Sequence, residues 1–242
     1  MLGPRSPAAI PLSREDQDWW QRRHADKQRE IREKPPALIF LGDSIIHQCE
    51  LTASAPWGDF LPVWQHFYGD RQAANLGFAG DETRHLLWRI ENGECVGIAP
   101  KVAVVLIGAN NLAHPTWSAG DSVAGIRAVV AALRRHLPTT KLLLLGVLPS
   151  DRGARITAVT LAINATLAAA YRRSRTVAYR DLGHVFMANG KLNQDLFVDP
   201  KLRPPDVALH PSAQGMAQLA AALEPTLAAL LGDRLHAAMI AR

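Results

Sequence analysis

Two cysteines, Cys49 and Cys95, are all that the 242 residues carry. They make no disulfide framework, and neither stands in a spacing that closes around zinc. They fit a reducing compartment without demanding one. Long apolar runs are missing too. Residues 142–145, with Val147-Leu148 after them, are only a strand's length and too short to span a bilayer. The start shows no apolar core followed by a cleavage site, so no signal peptide is visible and the chain reads as cytoplasmic. Charge of one sign is scattered: 27 Lys and Arg oppose 22 Asp and Glu, for a formal charge of +5. The cluster Arg172-Arg173-Ser174-Arg175 is no basic arm, so a nucleic-acid partner is not expected.

What remains is ordinary globular material, 48% hydrophobic and 20% charged, enough for one sizeable core. Five short apolar segments read as strands: residues 37–41, 73–77, 101–107, 141–148 and 176–179. Helical patterns separate them. Residues 82–91 place Leu86, Leu87 and Ile90 on one side. After a cap at Asp121 or Ser122, Val123, Ile126, Val130, Leu133 and Leu137 recur at spacings of three and four. A further stripe holds Ile156, Val159, Ile163, Leu167 and Tyr171. The last helix follows His210, with Pro225 expected to kink or interrupt it. Alternating strand and helix means a parallel sheet covered on both faces. Residues 1–34 form an N-terminal extension, 35–232 the domain and 233–242 a tail. The first 13 residues are Pro-rich and expected to be poorly ordered. A charged helix capped at Ser13 follows, carrying Trp19, Trp20 and Ile31; it either packs on the domain or makes an oligomer contact.

Residues 37–46 organise the chain. Five apolar residues after Pro35-Pro36 run into Gly42-Asp43-Ser44, and Ile45-Ile46-His47 can begin a helix. Ser44 then sits where a strand ends and a helix starts. It is either a simple cap or a nucleophile whose own N–H helps bind an oxyanion. Parallel sheets bind ligands at the carboxyl ends of their strands, where Gly77 and Asn110 also fall. A base is needed, and nine histidines are on offer. His47 stands only three residues after Ser44 on the same helix, too constrained to reach back. His24 and His236 lie in terminal helical segments, and His136 ends a surface helix. His210 sits in a Pro-flanked loop with Asp206, before the final helix, where an Asp can orient the imidazole.

Gly42-Asp43-Ser44, Asn75-Leu76-Gly77, Gly108-Ala109-Asn110 and the Asp206/His210 loop resemble, in this order, the sequence blocks of the SGNH (GDSL) hydrolases. Residues 80–89, with Gly-Ala-Asn-Asn, look most like the branch containing the catalytic subunits of platelet-activating-factor acetylhydrolase Ib. The resemblance covers roughly residues 35–230. It implies a flavodoxin-like three-layer α/β/α sandwich with a parallel five-stranded sheet, and hydrolysis of an acyl ester without metal or cofactor. Ser44 becomes the nucleophile, His210 the base and Asp206 the third member. The N–H groups of Ser44 and Gly77, with the Asn110 amide, form the oxyanion hole. Two positions depart from the family pattern. Asn111 follows the Asn where Asp is commoner, and Val207 stands three residues before the His where the family's Asp belongs. Asp206 precedes it by four, and the alternative to it is a backbone carbonyl that orients His210; Asp199, the next nearest acid, stands eleven residues away and beyond Pro200.

The expected substrate is a small acyl ester, acetyl foremost, since the roughly thirty residues between Ser44 and Gly77 leave no room for a long lid. A carbohydrate alcohol portion is preferred, with a phospholipid or thioester as the alternative. The rival class is a non-catalytic flavodoxin-like binding module, although Gly77-Phe78-Ala79-Gly80 matches no phosphate-loop motif.

Overall fold

The computed structural model describes residues 6–239. Five parallel strands form the central sheet: β1 (Leu38–Gly42), β2 (Ala73–Gly77), β3 (Val102–Leu106), β4 (Lys141–Leu145) and β5 (Val177–Arg180). Their order is β2-β1-β3-β4-β5. Each strand is short, apolar and rich in residues that pack on a pleated surface. Period-two alternation sends Ile39, Leu41, Ala103, Val105, Leu142 and Leu144 to one face, and Leu38, Phe40, Val102, Val104, Leu143 and Leu145 to the other. Both faces are buried, so the strands read as continuous hydrophobic runs. Each fully buried leucine among them stabilises the fold by ~1.5–3 kcal/mol relative to exposure.

Seven helices are described: α1 (Asp18–Glu33), α2 (Ser44–His47), α3 (Leu61–Tyr68), α4 (Thr83–Arg89), α5 (Ala119–His136), α6 (Ala154–Tyr171) and α7 (Ala213–Leu231). Side chains of α4, α5 and α6 cover the first face, while α3 and α7 cover the second. The result is the three-layer α/β/α sandwich that the alternating pattern predicts. Helix α6 is long and apolar enough by composition to cross a membrane. In this fold it is an outer helix, with Ile156, Ile163 and Leu167 buried on the sheet.

Several local expectations are corrected. Gln17, not Ser13, precedes α1. Ser118 caps α5 through the Asp121 N–H, with Asp121 returning the contact to the Ser118 N–H. This reciprocal box sets the cap three residues ahead of Asp121 and four ahead of Ser122. Helix α7 runs through Pro225, because Leu219, Leu223 and Leu227 bury one common face that outweighs a single missing N–H. Helix α3 went unread; its apolar stripe spans only two turns. The Pro-rich start is also ordered from Ser6 onward: Ala8 is fully buried and accepts a hydrogen bond from Thr83 Oγ1 at 2.8 Å. Residues 1–5 and 240–242, the ends of the two terminal segments, lie outside the described residues.

The strand order reverses direction between β1 and β3, and such a switch point opens a crevice at the carboxyl ends of the strands. Beside it, β2 approaches α2 very closely. A Cβ on Gly77 would lie 2.3 Å from the His47 backbone nitrogen and 2.7 Å from the Ile46 carbonyl carbon. Only glycine permits that approach. Gly77→Ala is therefore expected to cost ~1–3 kcal/mol and to lower Tm by about 2–12 °C. Thermal melting checks this, and an unchanged Tm would mean that strand and helix are not packed this closely.

Candidate active site

The turn after β1 places Ser44 at the first position of α2. Asp43 precedes it, and its carboxylate accepts the Ile45 N–H at 3.0 Å. The Ser44 N–H has no protein acceptor among the described residues. Its hydroxyl lies 3.0 Å from His210 Nε2. His210 Nδ1 lies 2.7 Å from Asp199 Oδ1. Burial pushes the Asp199 carboxyl up, yet hydrogen bonds from the His210 ring and from the His210 and Leu209 backbone outweigh it and hold the carboxyl below its ordinary range. An ionised Asp199 only accepts, so Nδ1 carries the proton and Nε2 is left to accept from the Ser44 hydroxyl.

Asp199 thus holds the place expected for Asp206. The Asp206 carboxylate is exposed and accepts the N–H of the next residue, Val207, at 2.7 Å. Its own N–H donates to the Asp199 carbonyl at 3.0 Å. The cause lies in the chain path. Phe197 pairs antiparallel with Pro211, and the Val198 N–H donates to the His210 carbonyl at 2.8 Å. Residues 199–210 therefore form a closed loop whose two ends meet, and eleven residues of separation become direct contact. The signal in the sequence was the apolar triplet Leu196-Phe197-Val198, which anchors the returning strand in the core.

Gly77 also departs from expectation. Its N–H donates to Asn75 Oδ1 at 2.9 Å, while Asn75 Nδ2 donates to the Ile46 carbonyl at 2.7 Å. Buried Asn75 thereby ties β2 to α2 and occupies the N–H expected to face an oxyanion. Three residues on, Gly80 has φ +76°, a left-handed conformation suited to glycine. Its N–H has no protein acceptor among the described residues. Asn110 lies beyond β3, and its Nδ2 donates one hydrogen to the Asp81 carbonyl at 2.9 Å. The second amide hydrogen has no protein acceptor among the described residues. Ser44, Asn110 and Gly80 thus offer three neutral donors at adjoining strand tips. The neighbouring Asn111 is fully buried and pairs with the N–H and hydroxyl of Thr83, docking α4 against the β3 tip. Among the described residues, no three His, Cys, Asp or Glu side chains gather as metal ligands.

The extension before β1 reaches this loop, which sequence reasoning did not foresee. Arg14 donates to the Ala79 carbonyl at 2.8 Å and to Asp81 at 3.0 Å, and Trp20 Nε1 donates to Asp81 at 2.8 Å. Arg23 donates to the Gly77 carbonyl at 2.9 Å. A cavity of about 300 Å³ opens beside Ser44, lined by His47, Gln48, Leu51, Trp57, Ala79 and His210.

A profile of the GDSL-like lipase/acylhydrolase family matches residues 40–218. The chain belongs to this family. Among similar proteins, the human platelet-activating factor acetylhydrolase IB subunit alpha2 is 35% identical over 150 residues, covering 61% of this chain and 60% of that one. The bovine subunit alpha1 is 34% identical over 155 residues, covering 62% and 60%. The match thus spans about 60% of the length of these relatives. A solved GDSL-like lipase from Bacteroides thetaiotaomicron shares the fold, with TM-score 0.63, 16% identity, and coverage of 85% of this chain and 96% of that one.

Two expected outcomes follow from the site's charges. Asp199→Asn should lower kcat by up to ~10⁴, as loss of a triad acid does, whereas Asp206→Asn should cost less than about tenfold. Steady-state kinetics on both variants checks this, and equal losses would contradict the pairing. Asp43 is buried, its Oδ2 has no partner, and burial pushes its carboxyl up to about 7. Between its unfolded value near 3.8 and about 7 the folded state binds more protons, so stability falls as pH rises through that window. Asp43→Asn cannot lose that proton. Its Tm relative to wild type should therefore be higher at pH 8 than at pH 4.5, and a difference independent of pH would contradict the assignment.

Proposed function

We propose that the protein is a serine esterase that cleaves short-chain acyl esters, acetyl foremost, through an acyl-enzyme on Ser44. The observation that carries this reading is the hydrogen-bonded line from Ser44 Oγ to His210 Nε2 and from His210 Nδ1 to Asp199. His210 takes the hydroxyl proton as Ser44 Oγ attacks the ester carbonyl, and Asp199 stabilises the imidazolium that forms. The carbonyl oxygen becomes an oxyanion and receives hydrogen bonds from the Ser44 N–H, the Gly80 N–H and the remaining Asn110 amide hydrogen. His210 then gives its proton to the departing alkoxide. Water, deprotonated by the same imidazole, attacks the acyl-enzyme; the carboxylic acid is released as the imidazolium returns that proton to the departing Ser44 Oγ. Neutral amide donors suit this chemistry because the charge they stabilise exists mainly in the transition state.

Two observations favour a short acyl group. Relatives at 34–35% identity carry acetylhydrolase in their names. The cavity at Ser44, at about 300 Å³, lies at the small end of ligand pockets, and alcohol and acyl portions must both fit around one serine.

Ser44→Ala should abolish both hydrolysis of 4-nitrophenyl acetate and labelling by a fluorophosphonate; a pure binding module would not be labelled at all. Asn110→Ala should lower kcat by ~10²–10³ with little change in KM. Labelling that persists in folded Ser44→Ala, or an Asn110→Ala effect confined to KM, would overturn these roles.

A further inference from the structure

The esterase reading leaves the alcohol portion of the substrate open, and the wall of the Ser44 cavity bears on it. The leaving oxygen must take its proton from His210 Nε2, so the alcohol portion lies against His210. The Trp57 indole packs edge-on to that imidazole, with ring centres 5.7 Å apart, and lines the same cavity. An alcohol seated there therefore rests against an aromatic side chain.

His47 lines the same cavity. Its Nδ1 accepts the Ala79 N–H at 3.2 Å, which leaves the ring proton on Nε2. Burial and the Arg23 guanidinium push this histidine down to about 4, so the ring stays neutral at physiological pH. Trp19 stacks on the ring at 6.3 Å with an interplanar angle of 22°, fixing its orientation. Nε2 has no protein acceptor among the described residues and is not among the buried unpartnered atoms. The result is a neutral N–H donor held in one tautomer at the cavity wall. Among the described residues no Lys or Arg lines this cavity, and nearby Arg23 is already engaged by Glu50 and the Gly77 carbonyl.

We propose that His47 and Trp57 form the subsite for the alcohol portion and select an uncharged, oxygen-bearing ring such as an acylated sugar. The apolar face of the sugar packs on Trp57, while a ring or ester oxygen accepts from His47 Nε2–H. An alkyl alcohol leaves that donor unpaired and buried, and a phosphorylated alcohol finds no cation to offset its charge. This rests on the esterase reading for the direction of the alcohol portion. The donor itself is a feature of the cavity.

Three esters sharing the acetyl group but differing in alcohol test the idea: xylose tetraacetate, hexyl acetate and 1,2-diacetylglycerol 3-phosphate. Wild-type kcat/KM should favour the xylose ester over each of the others by about tenfold or more, the worth of one good hydrogen bond. His47→Leu should lower kcat/KM for xylose tetraacetate about tenfold more than for 4-nitrophenyl acetate, mostly through KM, and His47→Gln should restore part of the loss. Should His47→Leu fail to fold, Trp57→Leu reads out the same selective loss. Equal losses on both substrates would mean that His47 only holds the Ala79 loop, and a preference for either other ester would overturn the proposal. Calorimetric binding of xylose tetraacetate to Ser44→Ala separates the subsite from the chemistry. His47→Leu added to that background should weaken Kd about tenfold, whether or not wild type turns the ester over. An unchanged Kd would overturn the subsite alone, whereas absent turnover of every ester by wild type would overturn the esterase reading alone.

Discussion

The fully buried carboxylate of Asp81 holds the site together. One oxygen accepts from Trp20 Nε1 and Arg14, the other from Arg89 Nε at 2.8 Å, and its backbone carbonyl accepts from Asn110. A charge taken out of water at this depth is tolerable only when every lone pair is answered. Arg89 is fully buried as well, reaches Glu94, and lies over the Phe78 ring at 3.9 Å. The loop bearing Gly80 is thereby fastened from three directions: the N-terminal extension, α4 and the β3 tip. The proposed oxyanion donors work by being in place before charge develops, and this carboxylate fastens the Gly80 loop and the Asn110 amide.

The two halves of the site are held by different means. Ser44, Gly80 and Asn110 sit on strand tips and a strapped loop, with the sheet as their foundation. His210 and Asp199 come from a long excursion between β5 and α7, anchored by Phe197 and Val198 in the second core layer. Rigid scaffolding on one side and a self-bonded loop on the other meet at the switch point between β1 and β3. Buried Asn75 and Asn111 serve the first half, each using both ends of its amide to pin one element to another.

The sheet was legible because buried parallel strands write themselves as apolar runs. β2 has the expected bounds, β4 stops three residues earlier than expected, and β1, β3 and β5 differ by one residue at each end. Ser44, Asn110 and His210 were legible because strand tips and a Pro-flanked loop are local features. Asp206 misled because proximity in sequence stood in for proximity in space, which fails wherever a loop closes on itself. Gly77 misled in another way. Its lack of a side chain answers a packing demand from α2, and the sequence alone does not separate that demand from a need for a free N–H. The role of Arg14, Trp20 and Arg23 was hidden because their partners lie 54 to 67 residues away. A highly charged helix also reads first as a solvated one.

Asp199 grips more than an imidazole. While Oδ1 meets the ring, Oδ2 accepts the Leu209 and His210 backbone N–H groups at 2.8 and 2.6 Å. Main chain and side chain of the base are thus clamped by one carboxylate, and acid and base travel as a single body. If the loop shifts against the sheet, the geometry within the pair survives and only the 3.0 Å gap to Ser44 opens. The catalytic line has one soft joint, between the hydroxyl and the imidazole. In the esterase reading proposed above, that is also the joint across which the hydroxyl proton passes to Nε2.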